Sequence, residues 1–292
     1  MSGARRVRMR PRAILVAWLA ALAVVGTACS SAGNATNMLD AVQNRDVLRV
    51  VSDPNFRPQS FYDQLIGRWR GFDVDVATEI ARRLGVTSQF TSGVFEDVQA
   101  GDWQPEWDLS VGSMTITPER AKVLDFTSPY YYDTAAAAVR PGSGVTALAD
   151  LSGKKIGVTD GSTYESYLKG TLVLPDQGEI PSAISNPEIV KYTTDQDAID
   201  ALTAGDVDAV ISARPELQTA IGRGTKIEII GVPLFTEDLA AAVVKDTPLD
   251  NTSFVQRVSQ IIDEMHKDGT LSDLSEKWYG TDLTTPPSNV GG

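Results

Sequence analysis

The stretch Gly71–Gly85, GFDVDVATEIARRLG, has the pattern of an amphipathic helix. Val76, Ile80 and Leu84 recur at a spacing of four residues, which places them on one face of a helix. Acidic residues near the start complement the positive end of the helix dipole. The stretch therefore predicts a helix with a favourable N-terminus and one apolar face.

Short runs rich in β-branched residues lie on both sides of this helix along the chain. They are Val47–Val51, Trp107–Val111, Lys155–Val158, Val207–Ile211 and Lys226–Ile230. Helical patterns separate most of these runs, so the sequence predicts an α/β architecture with mainly parallel sheets.

The first 28 residues have the order of a signal peptide. Five arginines within residues 5–12 precede an apolar run over residues 13–25, and small residues follow. The apolar run is shorter than the roughly 20 residues that a membrane-spanning helix needs. Removal of residues 1–28 leaves 264 residues (292 − 28), which exceeds the usual size of a single core and predicts two lobes.

Cys29, the only cysteine, resembles the lipidated cysteine of a bacterial lipoprotein. Residues 29–45, rich at first in Ser, Ala, Gly and Asn, then read as a flexible tether between membrane and domain. Gly26 departs from this pattern, because lipoproteins usually carry Leu or another aliphatic residue there. The alternative is ordinary cleavage after Ala28, which would leave a free thiol.

Charge and composition exclude several classes of function. The net charge of −12 becomes −17 without residues 1–28, because five arginines and no acids are lost. Such an acidic chain is not expected to bind nucleic acid. The single histidine, His266, excludes a multi-histidine metal site. Because Cys29 is expected to carry the lipid and His266 to be a cation at a helix end, a Ser-His-Asp or Cys-His catalytic site is not expected either. No cofactor or metal is expected.

The most regular helical pattern lies near the C-terminus. One face carries Phe254, Val258, Ile261 and Met265, joined by Val255 and Ile262. Gly269 is expected to end this helix, with His266 as a cation in its last turn. Residues 284–292 read as a disordered tail.

The stretch Ser110–Arg120, SVGSMTITPER, contains a cation at an unusual place. Thr117 and Pro118 predict the start of a helix, with Thr as N-cap and Pro at the first position. Arg120 then lies in the first turn, where the helix dipole favours an anion. We therefore expect Arg120 to bind an anion, although an internal salt bridge to Glu119 or Asp125 is the simpler alternative.

Four blocks of the sequence resemble family 3 of the extracellular solute-binding proteins, the receptors of ABC importers for polar amino acids and related solutes. They are GFDVDVATEIARRLG, MTITPER…LDFTSPYY, DLSGKKIGVTDGST and GDVDAV, in the family's order. The resemblance, which extends from about residue 46 to 283, implies a two-lobed α/β fold that closes around a small molecule. It implies a first lobe of residues 46–136 plus 243–283 and a second of 137–242. Two hinge crossings are expected near Ala135–Val139 and Leu239–Val243.

The resemblance also implies a ligand site in the cleft. The first lobe would contribute Asp53, Phe56, Phe95, Gly112, Ser113, Thr115 and Arg120, and the second Gly161, Ser162 and Thr163. Arg120 would grip the ligand's carboxylate, since a guanidinium can form two parallel hydrogen bonds with it. Asp53 would contact an amino group, and Phe56 and Phe95 would enclose the aliphatic part, although core packing of Phe95 is an equal alternative.

Ala213 departs from the family pattern. An aspartate commonly follows the "VDAV" strand in the amino-acid receptors of the family and binds the α-ammonium group. Asp53, Asp160 or Glu237 would have to replace it here, because a buried ammonium needs a carboxylate. Otherwise the ligand lacks an α-amino group.

The resemblance implies a monomeric, exported and lipid-anchored receptor that is not an enzyme. It would capture a small carboxylate-bearing solute, a polar amino acid or derivative, and deliver it to an ABC permease and its ATPase. One alternative is an exported dehydratase acting on prephenate or arogenate, with a cleft carboxylate as general acid. Another is a ligand-sensing partner of a membrane kinase.

Overall fold

A computed structural model describes residue 3 and residues 35–286 of the chain. The predicted signal peptide, Gly26 and the predicted lipidation site Cys29 lie outside the described residues. In the part that is described, no helix has the length and apolar character needed to cross a membrane.

Fourteen strands form between residues 47 and 244. They are β1 (Val47–Ser52), β2 (Asn55–Phe56), β3 (Ser60–Asp63), β4 (Arg68–Arg70), β5 (Thr87–Ser92), β6 (Leu109–Thr115), β7 (Leu124–Val139), β8 (Lys155–Thr159), β9 (Val173–Leu174), β10 (Gly178–Glu179), β11 (Glu188–Tyr192), β12 (Ala209–Ala213), β13 (Glu228–Ile230) and β14 (Thr236–Val244). Each predicted strand segment contributes residues to one of them.

Helices connect many of these strands. They are α1 (Met38–Asn44), α2 (Phe72–Leu84), α3 (Phe95–Ala100), α4 (Thr163–Leu168), α5 (Asp195–Ala204), α6 (Arg214–Gly222), α7 (Thr252–Lys267) and α8 (Thr270–Tyr279). Two 3-10 turns add Arg120–Lys122 and Leu148–Leu151.

The main sheet has nine strands, in the order β11-β8-β12-β7-β14-β6-β1-β5, with β13 also paired to β7. Pairing is parallel within β5-β1-β6 and within β11-β8-β12. Pairing is antiparallel wherever β7 or β14 takes part. The predicted α/β class is thus confirmed, and the parallel strands occupy the two flanks of a mixed sheet.

β7 and β14 carry the chain between these two flanks. The N-terminal part of β7, up to Thr134, pairs with β14, and Ala135–Val139 pairs with β12. The first predicted crossing, Ala135–Val139, begins where β7 changes its partner from β14 to β12. The second crossing comes earlier in the sequence than predicted, because Leu239–Val243 already lies beside β6 and the N-terminal part of β7, and the chain crosses before it, near Thr236. Separate hydrophobic clusters flank β7 and β14, one around α2 and α7 and another around β8 and α4. The lobe boundaries remain a prediction.

The first turn of α2 has no side-chain cap and is held instead by contact with the backbone of a neighbouring segment. Gly71 has φ of +134°, and a Cβ added to it would lie 2.1 Å from the Gln59 carbonyl oxygen. This approach lets the Phe72 and Asp73 N–H groups donate to the carbonyls of Pro58 and Gln59. Gly71 is therefore required for the helix start, and the predicted apolar face of α2 is buried.

Helix α7 buries Phe254, Val258, Ile261, Ile262 and Met265, which confirms the predicted face. Gly269, at φ +83°, follows the helix end as expected, although α8 begins directly after it. The His266 ring lies 2.9 Å from the Pro129 carbonyl oxygen.

The two ends of the described chain are ordered. Residues 38–44, which the sequence analysis included in a flexible tether, form α1, because Met38 and Val42 reach apolar core around β1 and α7. At the other end, Thr284 is buried and its hydroxyl donates to Asp282. Residues 287–292 of the predicted tail lie outside the described residues.

Candidate functional site

A cavity lies where the ends of β1, β6 and β8 meet. It is lined by Asp53, Phe56, Phe95, Gly112, Ser113, Thr115, Arg120, Thr159, Ser162, Thr163, Tyr164 and Asp195. Nine of the ten predicted site residues are in this set, and the tenth, Gly161, touches Arg120 through its carbonyl. The structure thus brings the predicted residues together, and their role in binding a ligand remains a proposal.

The cavity is small in this conformation. A volume of about 40 Å³ is reachable by the centre of a water molecule. That is room for a few waters, against roughly 300 Å³ or more in ordinary ligand sites. The structure therefore corresponds to a closed arrangement without space for a ligand.

Arg120 lies in a single 3-10 turn instead of the predicted helix. Thr117 does act as a cap, since its hydroxyl accepts from the Arg120 N–H at 3.2 Å. β7 begins at Leu124, only four residues after Arg120, so no longer helix can form. The anion site expected at a helix N-terminus is therefore absent here, and the guanidinium itself is the positive group.

The Arg120 guanidinium is buried, with 5% of the residue exposed, and it contacts neutral groups. Nη1 donates to the Thr115 carbonyl at 2.9 Å and Nη2 to the Gly161 carbonyl at 3.1 Å. Burial lowers the pKa of Arg120 to about 10. The Phe95 ring lies 5.2 Å from the guanidinium carbon, so this side chain packs on Arg120 itself.

The internal salt bridges considered for Arg120 are not formed. Glu119 pairs with Lys122, and Asp125 lies 3.7 Å from Lys245. Within residues 35–286, no carboxylate oxygen comes within the 4.0 Å salt-bridge distance of the Arg120 guanidinium. A buried cation without an ion-pair partner is costly, and the charge of Glu237 offsets part of this cost by raising the pKa of Arg120 from beyond that distance.

The turn after β8 forms the opposite wall. Gly161, at φ +70°, makes the tight turn that the sequence predicted. The Ser162 hydroxyl accepts from the Glu165 N–H at 3.2 Å and caps α4. Thr163 follows as the first residue of α4 and is buried against the cavity.

Glu237 of β14 connects the two walls. The hydroxyls of Thr115 and Thr163 both donate to its Oε1, each at 2.5 Å. Burial raises the pKa of Glu237, whereas the two threonines and Arg120 act in the opposite direction. If Glu237 bound the α-ammonium group in place of the aspartate missing at Ala213, the ammonium would have to compete with these two hydrogen bonds.

Ser113 lies in the middle of β6 with its hydroxyl already engaged. The hydroxyl donates to the buried carboxylate of Asp73, 2.8 Å away, and accepts from the Tyr131 hydroxyl at 2.7 Å. A hydroxyl has one proton and two acceptor lone pairs. Ser113 can therefore accept from a ligand N–H group but has no proton left for a ligand carboxylate.

Asp53 and Phe56 follow β1 and line the same cavity. The Asp53 carboxylate accepts from the Asn55 N–H at 2.7 Å. Its surroundings raise the pKa of Asp53 to about 7, chiefly by desolvation and then by the nearby charge of Asp195. Phe56 is partly buried and packs against the apolar cluster around β8.

Asp195 is a cavity residue that the sequence analysis missed. It is the first residue of α5, after the capping Thr194, and the Thr159 hydroxyl donates to its Oδ2 at 2.8 Å. In sequence it reads as an ordinary acid at a helix start. Asp160, considered as a replacement anchor, instead pairs with Lys191 at 2.6 Å. Ala213 is buried at the end of β12.

Among residues 35–286, no group of three or more His, Cys, Asp or Glu side chains is arranged to hold a metal ion.

Residues 48–281 match the family model of bacterial extracellular solute-binding proteins, family 3. The L-cystine-binding protein TcyJ of Escherichia coli is 28% identical over 276 residues, covering 94% of this chain and 97% of that protein.

Two solved structures are also similar. An ancestral arginine-binding protein bound to arginine is 32% identical with a TM-score of 0.69, covering 81% of this chain and 99% of that one. The ancestral amino acid-binding protein AncCDT-1, a precursor of cyclohexadienyl dehydratase, is 27% identical with a TM-score of 0.71, covering 83% and 100%.

Proposed function

The chain belongs to family 3 of the bacterial extracellular solute-binding proteins, and from this premise we propose that it is the amino-acid receptor of an ABC importer. It captures a small carboxylate-bearing solute, a polar amino acid or a derivative, between two lobes. It then delivers this solute to a permease and its ATPase. The relatives named for cystine and arginine binding support this class of ligand.

One observation carries the proposal: Arg120 is a buried guanidinium whose hydrogen-bond partners are two backbone carbonyls. A ligand carboxylate entering beside it would form charge-assisted hydrogen bonds in place of these neutral contacts. Eight of the other nine predicted residues line the same cavity and supply its polar and aromatic walls.

Ligand entry requires the walls of the cavity to separate. The present closed arrangement is bridged by the Arg120–Gly161 contact and by Glu237 between Thr115 and Thr163. A ligand that contacts both walls stabilises a closed state with the walls farther apart than here. Binding then shifts the population between open and closed forms through contacts that only the closed form offers.

The N-terminal features fit this role. A lipid on Cys29 would hold the receptor at the outer face of the cytoplasmic membrane, next to a permease. The tether then extends to about residue 37, because α1 begins at Met38. Metabolic labelling of Cys29, compared with a Cys29→Ser variant, tests this anchor.

The receptor role needs no reaction, and we propose that the protein is not an enzyme. One comparison favours the dehydratase alternative: this chain is similar in structure to AncCDT-1, a precursor of cyclohexadienyl dehydratase. Asp53 and Asp195 lie in the cavity with raised pKa values and are the candidate general acids. Turnover of prephenate or arogenate that disappears in Arg120→Ala would overturn the pure receptor role.

A thermal-shift measurement tests the proposed function directly. Purified protein is heated with each standard L-amino acid, with L-cystine and with small carboxylic acids. A compound that binds only the folded state raises the melting temperature. Stabilisation by an amino acid supports the receptor role, and the absence of any stabilising amino acid or carboxylate contradicts it.

A further inference from the structure

Asp195 has a carboxylate oxygen without a partner inside the cavity. The residue is 8% exposed. Its Oδ2 accepts from the Thr159 hydroxyl, whereas its Oδ1 is buried and has no hydrogen-bond partner among the described residues. The nearby Ser212 hydroxyl favours the charged form but is not in hydrogen-bonding geometry. A buried oxygen of this kind costs free energy until a donor reaches it.

The surroundings of Asp195 are short of positive charge. Asp53 lies close enough in the same cavity for repulsion with Asp195. Glu216 of α6 is 2% exposed, repels Asp195 and Asp53, and has an unpartnered Oε2. Arg57 and Arg223 act to lower the pKa of Glu216. Within the described chain, no cation is among the groups that shift the pKa of Asp53 or Asp195. Burial and repulsion from neighbouring carboxylates raise the pKa of all three acids, with Glu237 as the repelling group at Asp195, so this end of the cavity favours a cation.

The position of Asp195 relative to Arg120 suits a compact zwitterion. Asp195 contacts Thr159 and Arg120 contacts Gly161, two residues farther along the same turn. The two contact points are thus separated by at most about 7 Å of backbone. An α-amino acid carries its ammonium and carboxylate on one carbon, so its two charges are close enough together to face Asp195 and Arg120 at the same time once the cavity has widened around the ligand.

We propose that Asp195, together with Asp53, binds the α-ammonium group of the ligand, an inference that rests on the amino-acid receptor role proposed above. The protein carboxylate that binds the ammonium then comes from the first residue of α5. It does not come from the end of β12, where this chain has Ala213. The other two acids considered for this task are engaged, Asp160 by Lys191 and Glu237 by Thr115 and Thr163. The ligand class is therefore α-amino acids with a free amino group.

Calorimetry with matched pairs of compounds tests this proposal on the full chain. The pairs are the standard L-amino acids and L-cystine, each beside the carboxylic acid that has hydrogen in place of the α-amino group. Asp195→Asn keeps the shape of the side chain and removes its charge. Asp200→Asn, on the exposed side of α5, removes the same charge without touching the cavity and is the control.

We expect the wild-type protein to bind an amino acid at least about tenfold more tightly than its des-amino partner. Asp195→Asn is expected to lose about 10- to 100-fold in affinity, the range of a hydrogen bond to a charged group. The variant should also bind the two members of the pair with similar affinity, which a merely structural role would not produce. Asp200→Asn should bind like the wild type.

The outcomes separate this inference from the proposed function. If an amino acid binds but Asp195→Asn matches the wild type, or if the des-amino partner binds equally well, the inference is wrong and the receptor role stands. If Asp195→Asn does not fold, Asp53→Asn takes its place, because it removes the second proposed carboxylate and should lose the same preference for the amino acid. If only des-amino acids bind, the ammonium site is refuted and a carboxylate receptor remains. If neither class binds, both proposals fail.

Discussion

The hydroxyl of Ser113 donates to the buried carboxylate of Asp73 across 2.8 Å, although Ser113 holds a left-handed backbone conformation with φ of +51°. Tyr130 completes the arrangement, because its hydroxyl donates to Asp73 and accepts from the Ser113 N–H. A non-glycine residue in this conformation costs about 1–2 kcal/mol. Asp73, at the start of α2, therefore holds the strained centre of the candidate site.

Asp73 is expected to make stability depend on pH. Burial raises its pKa from 3.8 to about 7, against the opposing hydrogen bonds from Tyr130 and Ser113. The folded state thus holds a proton that the unfolded state releases above about pH 4, so the free energy of unfolding falls as the pH rises from about 4 to 7. The contribution is at most on the order of 4 kcal/mol.

Asp73→Asn isolates this effect, since the other buried acids remain in the variant. We expect the variant's free energy of unfolding, relative to the wild type, to improve steadily across that pH range. Urea unfolding at several pH values measures the difference. A difference that stays constant with pH would show that Asp73 is already ionised in the folded protein.

Gly71→Ala is expected to destabilise the fold by about 3 kcal/mol or more, because the new Cβ would strike backbone atoms of Gln59 that cannot swing aside. The control is Gly85→Ala at the other end of α2, where φ is +80° and no heavy atom lies within 4 Å. That change adds only backbone strain of about 1 kcal/mol. Denaturant unfolding compares the two, and equal losses would contradict the predicted clash.

Much of the fold follows from local pattern, and part of the site does not. Helices α2 and α7 are visible in sequence because each buries one regularly spaced face. The place of Asp195 in the cavity could not be predicted from local pattern. It depends on Thr159 and Asp53, which are distant in sequence and come near Asp195 only in the folded chain. The turn at Arg120 also differs from its prediction, because β7 starts too soon after Pro118 for a full helix.

Phe95→Leu is expected to weaken ligand binding by about 2- to 5-fold while the free protein stays folded. The ring lies 5.2 Å from the Arg120 guanidinium carbon, and such a contact contributes about 0.5–1 kcal/mol where it is partly exposed. Leu keeps an apolar side chain but loses the attraction that holds the guanidinium. Trp103→Leu, beside Trp107 and outside the cavity, is the control. Equal affinities of Phe95→Leu and the wild type would leave Phe95 as core packing only.

Arg120→Ala is expected to lose most of the ligand affinity, on the order of 1.5–3 kcal/mol for a charge-assisted hydrogen bond. Arg120→Lys should recover only part of it, because an ammonium cannot form the planar pair of bonds. Lys122→Ala is the matched control, since Lys122 lies two residues away, is exposed and pairs with Glu119.

Arg120→Ala is expected to weaken ligand binding without weakening the fold. Arg120 is desolvated without an adjacent carboxylate among the described residues, so replacing it by Ala should leave the melting temperature of the ligand-free protein unchanged or raise it. A residue that served the fold alone would give the reverse result, a lower melting temperature with unchanged affinity. Calorimetry and thermal unfolding of the same preparation therefore decide whether this buried cation is kept for binding.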